Sequence, residues 1–409
     1  MAGANLTTLT NIMKNFYIGP IQDQFNNEIL ITQLLPMDAE NLEGLKAVIP
    51  LHSARSGGIG SRGENIQLPS AGNQGYKQLE YDLKYHYARI QVSGPSISKT
   101  KSSAGAFAQA LKEELTRIKD DVMLDFARQL YGPGTGVIAT CGTTTASTTV
   151  TLSSAEALSK GFIYVGMVID IGTTADAQAV AIGREVTDVD VANSQIVISG
   201  AAVTTSSSHR IYRSGNVSTA TVYEMDAGLE KILPTAANTV GNLNAASAGN
   251  RIWDNLRDTT GGALSLSNLM VNWNKVNNAG GRSDQMAVLT TPGLVRRLFE
   301  TDDFKTNVRF VNSETLRGGF EAITFNAGGG NLRLLADRLH PWGKLHFVHK
   351  KHFRLFSPAD WDFLSRDGLT IRWVSDYDAF QAVLFRYANL GTDRRNTSLV
   401  MSGLTDTGF

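Results

Sequence analysis

The sequence predicts an α+β protein made of several structural units. Three observations carry this: a long amphipathic helix at 102–131, a run of short Thr/Ser/Val-rich strands over 136–216, and alternating helices and strands beyond residue 220. A chain of 409 residues also exceeds what one hydrophobic core commonly holds, so two or three units are expected.

The helix is the strongest single element. Phe107, Leu111, Leu115, Ile118, Val122, Phe126 and Leu130 recur every three or four residues, which places them on one stripe. Ser102 or Ser103 is available to cap the first turn, Glu113 and Arg117 stand one turn apart, and Gly132-Pro133-Gly134 stops the helix. Its length is about 40 Å at 1.5 Å per residue.

Before it, residues 1–45 mix short apolar clusters (Phe16, Tyr17 and Ile18; Ile29, Leu30 and Ile31; Leu34 and Leu35) with Gly19, Pro20 and Pro36. Such an arm can hardly bury those clusters by itself, so it either docks on its own domain or lies across a neighbour. From residue 45 the pattern turns to strand, reaches a glycine-rich tip at 56–63, and returns through 79–92. In that return Leu79, Tyr81, Leu83, Tyr85 and Tyr87 alternate with Glu80, Asp82, Lys84 and His86, so the first set is expected on one face. An extended hairpin is marginal alone, and its aromatic face needs something to rest on. Contacts between copies of the chain are therefore expected at Tyr81, Tyr85 and Tyr87 on the hairpin and at Phe16, Tyr17 and Phe25 on the arm.

The β-rich stretch over 136–216 reads as a small barrel or sandwich inserted into the fold. Helices are expected at 223–233, 246–258, 266–279 and 292–304. Strands are expected around 285–290, 331–336, 344–349, 352–356, 369–375 and 379–387, with a loop at 328–330.

Bulk chemistry narrows the function. The chain has 38 basic and 38 acidic residues and a formal charge of zero; tight wrapping of nucleic acid needs a basic excess for counterion release. Neutrality suits a protein whose main partner is another copy of itself. Cys141 stands alone, which excludes an intrachain disulfide and a multi-cysteine zinc site. The N-terminal stretch lacks the apolar core of a secretory signal, and 162–171 is far too short to span a membrane. A soluble protein that stays where it is made is expected.

Apparent sites resolve into ordinary structure. The run Gly58-Ile59-Gly60-Ser61-Arg62-Gly63 matches G-x-G-x-x-G, but Pro69 and further glycines follow where the dinucleotide motif needs a helix. It reads as a mobile loop tip. His346, His349 and His352, with His340 nearby, diverge on a strand and read as scattered surface histidines. Asp188 and Asp190 lack the rest of a calcium loop, and Asp376 and Asp378 beside Trp373 and Tyr377 read as a charged turn. Lys350-Lys351 and Arg394-Arg395 are too short for a nucleic-acid patch and read as a solvated face or an intersubunit ion pair. No catalytic, cofactor or metal site is expected.

The order of elements then supplies a resemblance. A loose arm, a glycine-tipped hairpin, one dominant helix ending in YGPGTG, a helix-rich segment and closing strands together resemble the Hong Kong 97 type of tailed-phage major capsid protein. The helix with its glycine turn resembles the family's spine. The stretches MAVLTTPGLVRRLF and NLRLLADRLHPWGKLHFVHKKHFRLF resemble its A-domain, and IRWVSDYDAFQAVLFRYANLG resembles the closing strands of its P-domain.

That resemblance implies an N-arm at 1–45, an E-loop at 46–93, the P-domain spine at 94–135, an inserted β-domain at 136–216, a P-domain return at 217–239, an A-domain at 240–365 and closing P-domain strands at 366–409. It implies a structural subunit and not an enzyme, one that assembles as hexamers and pentamers into an icosahedral shell around phage double-stranded DNA. Implied partners are further copies of the chain, a portal protein, a separate scaffolding protein, decoration proteins and the packaged DNA by non-specific contact, with no membrane. The implied location is the virion capsid, assembled in the cytoplasm of a bacterial host. Some members cross-link an E-loop lysine to an asparagine; Lys77 and Lys84 are available here, and no cross-link is expected. The alternatives are an encapsulin-like compartment with the same fold, a polysaccharide-binding or tail-fibre β-protein, and, last, an enzyme.

Overall fold

The computed structural model describes residues 30–406 except 41, 45, 94, 96–103, 220, 301–313, 316–320, 327–330, 365–371 and 375–376. The expected contacts at Phe16, Tyr17 and Phe25, the capping serines, the 328–330 loop and Asp376 lie outside the described residues, as do the side chains of Phe107, Leu111, Glu113 and Leu115.

In chain order the main elements are α1 (Leu30–Leu34), β1 (Met37–Asp38), β2 (Lys46–Ala54), β3 (Gly75–Asp82), β4 (Lys84–Ser93) and the long helix α2 (Ala104–Tyr131). A β-rich stretch follows with β5 (Val137–Thr140), β6 (Thr149–Thr151), β7 (Val168–Gly172), β8 (Ala181–Asp190), β9 (Gln195–Ile198) and β10 (Arg210–Arg213). Then come β11 (Leu256–Asp258), α3 (Leu266–Asn278), β12 (Met286–Thr290), α4 (Pro292–Glu300), β13 (Glu321–Asn326), β14 (Asn331–Ala336), β15 (Lys344–His349), β16 (Phe353–Phe356), β17 (Ala379–Thr392) and β18 (Leu399–Ser402).

The long helix meets its expected end at Tyr131, with the apolar stripe deepening toward the C-terminus: Phe126 and Leu130 are fully buried, whereas Ile118 and Val122 are half-buried. At Gly134 (φ +73°) a Cβ would lie 2.4 Å from the carbonyl oxygen of Asp226, so only glycine lets the returning chain cross the helix end this closely.

Two sheets meet at that helix end. In one, β17 is the spine of the ladder: Ala379–Ala388 pair with Lys84–Ser93 of β4, and Asn389–Thr392 pair with β16. In the other, seven strands among the described residues run in the order β11-β18-β15-β12-β14-β13 and Glu314–Thr315. Alternation buries this second sheet on both faces. Val288, Phe347 and Met401 face Trp273, Leu294 and Leu298 of α3 and α4. Their sequence neighbours Leu289, Val348 and Val400 join the core formed by Phe126, Leu130, Leu79 and Tyr81.

Residues 137–213 form a unit with its own core, built from Cys141, Val150, Ile169, Ile171, Val186, Ile196 and Ile211. Its strands run antiparallel in the order β5-β10-β7-β8-β9-β6, and a bridge between Cys141 and Leu152 joins the two ends of that sheet.

Of the two placements expected for the arm, its described end takes the first and docks on its own chain: Leu30, Ile31 and Leu35 enter the main core, and Met37–Asp38 pair in parallel with β16. Several other expectations are corrected. The helix expected at 246–258 is a single 3-10 turn, Arg251–Trp253, followed by β11. Asn244 and Asn250 there bond to nearby backbone (Asn250 Nδ2 donates to Asn244 O at 3.0 Å), which competes with helical bonding. The helix expected at 223–233 shrinks to Leu229–Ile232, and β16 at 353–356 belongs to the β17 sheet. The closing run also divides, since β17 stays with the hairpin base while β18 lies between β11 and β15.

Candidate assembly surfaces

The hairpin is a continuous ladder, from Lys46 opposite Asp82 out to Ala54 opposite Gly75. Between them residues 55–74 carry no helix or strand, and Ile59, Ile66 and Leu68 on this tip are largely exposed. The G-x-G-x-x-G run is thus a loop tip with no helix after it, as its proline and glycines require.

The tyrosines split into two groups. Tyr81 is only 3% exposed, packs beside Phe356 and donates its hydroxyl to Thr392 O at 2.8 Å. Tyr85 and Tyr87 are 45% and 59% exposed. The single face expected from strict alternation is corrected here: β3 buries odd positions while β4 buries His86, Ala88 and Val92. The phase changes because the chain leaves its ladder with β2 at Asp82, passes Leu83 outside any strand, and enters a new ladder with β17 at Lys84. Tyr81 therefore serves its own chain's core and is withdrawn as a contact between copies. Tyr85 and Tyr87 remain outward; Tyr387, opposite Tyr85 in the ladder, stacks edge-on against it at 5.1 Å.

The two hairpin lysines are both engaged within the chain. Lys77 donates to the side chain of Asn250, and Lys84 lies 3.3 Å from Asp226.

His340, His346 and His349 are not on the surface, and His352 is half-buried. His340 and His346 are buried and share a hydrogen bond of 2.7 Å, Nε2 to Nδ1. His349 is buried on the other side of β15, its ring 4.3 Å from that of His352. Sequence reading placed these residues outside because it could not see that β15 is covered on both faces. The expected divergence holds only between His346 and His349: His352, beyond the turn after β15, comes back against His349, and His346 meets His340. Among the described residues no group of three or more His, Cys, Asp or Glu could hold a metal ion. Above the pair, Tyr131 donates to Asp337 at 2.6 Å and Lys160 donates to His340 O at 2.7 Å. Burial pushes His346 down to about 3 and His340 well below its ordinary value, so both rings are neutral near pH 7.

A second buried polar group ties the helix to the segments beyond the β-rich unit. Arg128 reaches Glu224 at 2.7 Å and Asp125 at 3.1 Å, and Arg213 from β10 approaches Asp125 at 3.4 Å. Burial opposes the Asp125 charge, but Arg128 and Arg213 hold its carboxyl well below the usual range. No periodicity marks these residues in the sequence. Asp190 accepts from Asn193 in a turn after β8, and Asp378 is exposed; neither belongs to a binding cluster. Arg395, expected on a solvated face or in an intersubunit ion pair, is fully buried within its own chain.

No family model and no curated protein sequence matches the chain. Solved structures do. The chain is similar to the capsid asymmetric unit of cyanophage A-1(L), with a TM-score of 0.58 at 12% identity, covering 98% of this chain and 99% of that one. Two further structures are more distant: the capsid of the native GTA particle (TM-score 0.47, 11% identity, 97% and 99% covered) and the SrpI encapsulin of Synechococcus elongatus PCC 7942 (TM-score 0.49, 9% identity, 100% and 98% covered). At such identities the likeness is one of fold, and the cyanophage capsid shares that fold over nearly the whole of both chains.

Proposed function

We propose that this chain is the major capsid subunit of a tailed bacteriophage, assembling with copies of itself into a closed icosahedral shell around double-stranded DNA. The supporting observation is the end-to-end likeness in fold to the cyanophage A-1(L) capsid. The exposed hairpin tip and the outward Tyr85 and Tyr87 agree with it, because both present apolar surface that a lone subunit leaves in water.

In this reading residues 1–45 are the N-arm, 46–93 the E-loop and 94–135 the P-domain spine. Residues 136–216 are an inserted β-domain, read as a small barrel with the support of the bridge between its end strands, and 217–239 are the P-domain return. Residues 240–365 build most of the A-domain, and 366–409 close the P-domain with β18 lent to the A-domain sheet. The role is structural, not catalytic. Hexamers and pentamers are the building blocks. A portal protein, a separate scaffolding protein, decoration proteins and packaged DNA are the remaining partners, and assembly takes place in the cytoplasm of a bacterial host.

Negative-stain microscopy of the purified chain, alone and with a co-expressed scaffolding candidate, tests this. Closed shells are expected. A chain that stays monomeric at every concentration and with every such partner refutes the reading, and shells that retain one enzyme as cargo instead of DNA assign it to the encapsulin class.

A further inference from the structure

Beside the end of the long helix, a cleft of about 310 Å³ separates the β-rich unit from the rest of the chain and is lined from both sides. One contact across it is a pair of opposite charges on the unit that grips a single backbone turn of the body. Lys160, just after the short helix Glu156–Ser159, donates to His340 O at 2.7 Å, and Glu156 Oε1 accepts from Trp342 N at 3.0 Å. Lys160 and Glu156 also pair with each other. Lys160 is only 4% exposed, so its ammonium is held there at a desolvation cost that opening of the cleft relieves.

Directly behind that turn sits the buried histidine pair. The carbonyl of Pro341 lies 3.1 Å from His340 Nδ1 and can only accept, so His340 carries its proton on Nδ1. Its Nε2 then accepts from His346 Nδ1 across their 2.7 Å bond. His346 Nε2 is left as a buried lone pair with no partner among the described residues. The closed pair therefore has no place for a further proton. At His346 Nε2 it makes a buried donor without an acceptor, and at His340 Nε2 it sets two N–H groups face to face. The surrounding charges are committed elsewhere. Lys160 holds the His340 carbonyl, Glu156 pairs with Lys160, and Lys344 pairs with Glu230. Asp337, beside Arg338, accepts from Tyr131 and from Leu339 N, and Asp406 accepts from Thr291 and Gly343 N.

We infer that the turn 337–343 is an acid-released latch on the β-rich unit. Protonation of the His340–His346 pair moves the turn and withdraws the two backbone groups that Glu156 and Lys160 hold. The unit is then free to tilt on its chain connections at 132–136 and 214–219, with the pairing of Arg213 and Asp125 at 3.4 Å as the tie that remains. Burial keeps both rings below their ordinary values while the turn is closed, whereas an opened turn takes up protons near 6.5. The open form thus binds more protons. Below about pH 6.5 each further unit of pH raises its population by up to about tenfold for each ring. This device belongs to the single subunit and stands apart from the shell-forming reading.

Hydrogen exchange of the full, unassembled chain tests it between about pH 7.5 and about pH 5.5, with rates corrected for the intrinsic pH dependence of amide exchange. Protection of the His340 and Trp342 amides should fall about tenfold or more over that range, while the unit's own strands β7 and β9 keep theirs. Acylation of Lys160, measured against that of exposed Lys351, should rise by a similar factor. His346→Gln, which cannot titrate, should flatten both responses. If that variant does not fold, Lys160→Met serves in its place: its Trp342 amide should exchange faster even at the higher pH, because half of the grip is gone, and an unchanged amide there overturns the latch. Unaltered protection at 337–343, or a loss spread evenly over the whole chain, overturns it as well. A loosened turn with Lys160 still unreactive overturns the coupling to the β-rich unit, and an undiminished acid response in His346→Gln removes the histidines as the trigger.

Discussion

The guanidinium of Arg128, three residues from the end of the long helix, lies 2.7 Å from the carboxylate of Glu224, which sits just beyond the β-rich unit. Both side chains are almost wholly buried, so this pair fixes where the chain returns to the helix after 137–213. Replacing Arg128 with Met leaves Glu224 and Asp125 without their main counter-charge. The expected loss is about 3–5 kcal/mol of unfolding free energy, against which a surface ion pair would cost about 1 or less. Urea unfolding of the unassembled chain measures it, and a loss below about 1 kcal/mol would show that water reaches the pair.

Acid should weaken the fold through its buried histidines. Burial holds His346 near 3 in the folded chain and His340 well below its ordinary value, whereas both titrate near 6.5 when unfolded. Between those values the unfolded chain binds more protons, so stability is complete above about pH 6.5 and is lost as pH falls below it. The slope is up to about 1.4 kcal/mol per pH unit for each histidine kept neutral. His346→Gln removes one such group, and its unfolding free energy should change less steeply between pH 6.5 and 5 than that of the parent chain.

The two classes of tyrosine predict opposite outcomes. Tyr81→Phe should cost about 1 kcal/mol of stability by removing the bond to Thr392 O, with assembly otherwise unaffected. The pair Tyr85→Ala and Tyr87→Ala should change subunit stability by about 1 kcal/mol or less, yet reduce shell formation. Shells from that double variant in normal yield would exclude the outward tyrosines as contacts.

Shortening the hairpin separates folding from assembly. Residues 55–74 form no helix or strand, and the ladder closes at Ala54 and Gly75. A chain in which 56–73 are replaced by a short glycine turn should melt near the parent temperature but form no closed shells. Normal capsids in micrographs of that deletion would refute a role for the tip.

Cys141 offers an internal reporter. It is buried in the core of the β-rich unit, and burial pushes its thiol up to about 12. A thiol reagent at pH 8 should label it only as fast as that unit opens, and immediate labelling of the native chain would show that the unit is not packed as described.

What the sequence determined by itself was the set of elements whose signal is local. The helix closing at Tyr131, the hairpin strands with their glycine tip, the β-rich stretch and the strands at 286–290, 331–336 and 344–349 all follow from periodicity and turn residues within a dozen positions. Their order was also enough to suggest the capsid fold. Tertiary structure decided the rest, for one physical reason: burial belongs to whatever packs against an element from elsewhere in the chain. Tyr81 and Tyr85 share a parity, yet one faces Phe356 and the other faces water because the strand changes ladders between them. His346 is buried because α3 and α4 cover one face of its sheet and the main core covers the other. Arg395 meets Asn238 and Asn255 only after folding, since those partners lie 157 and 140 residues away along the chain.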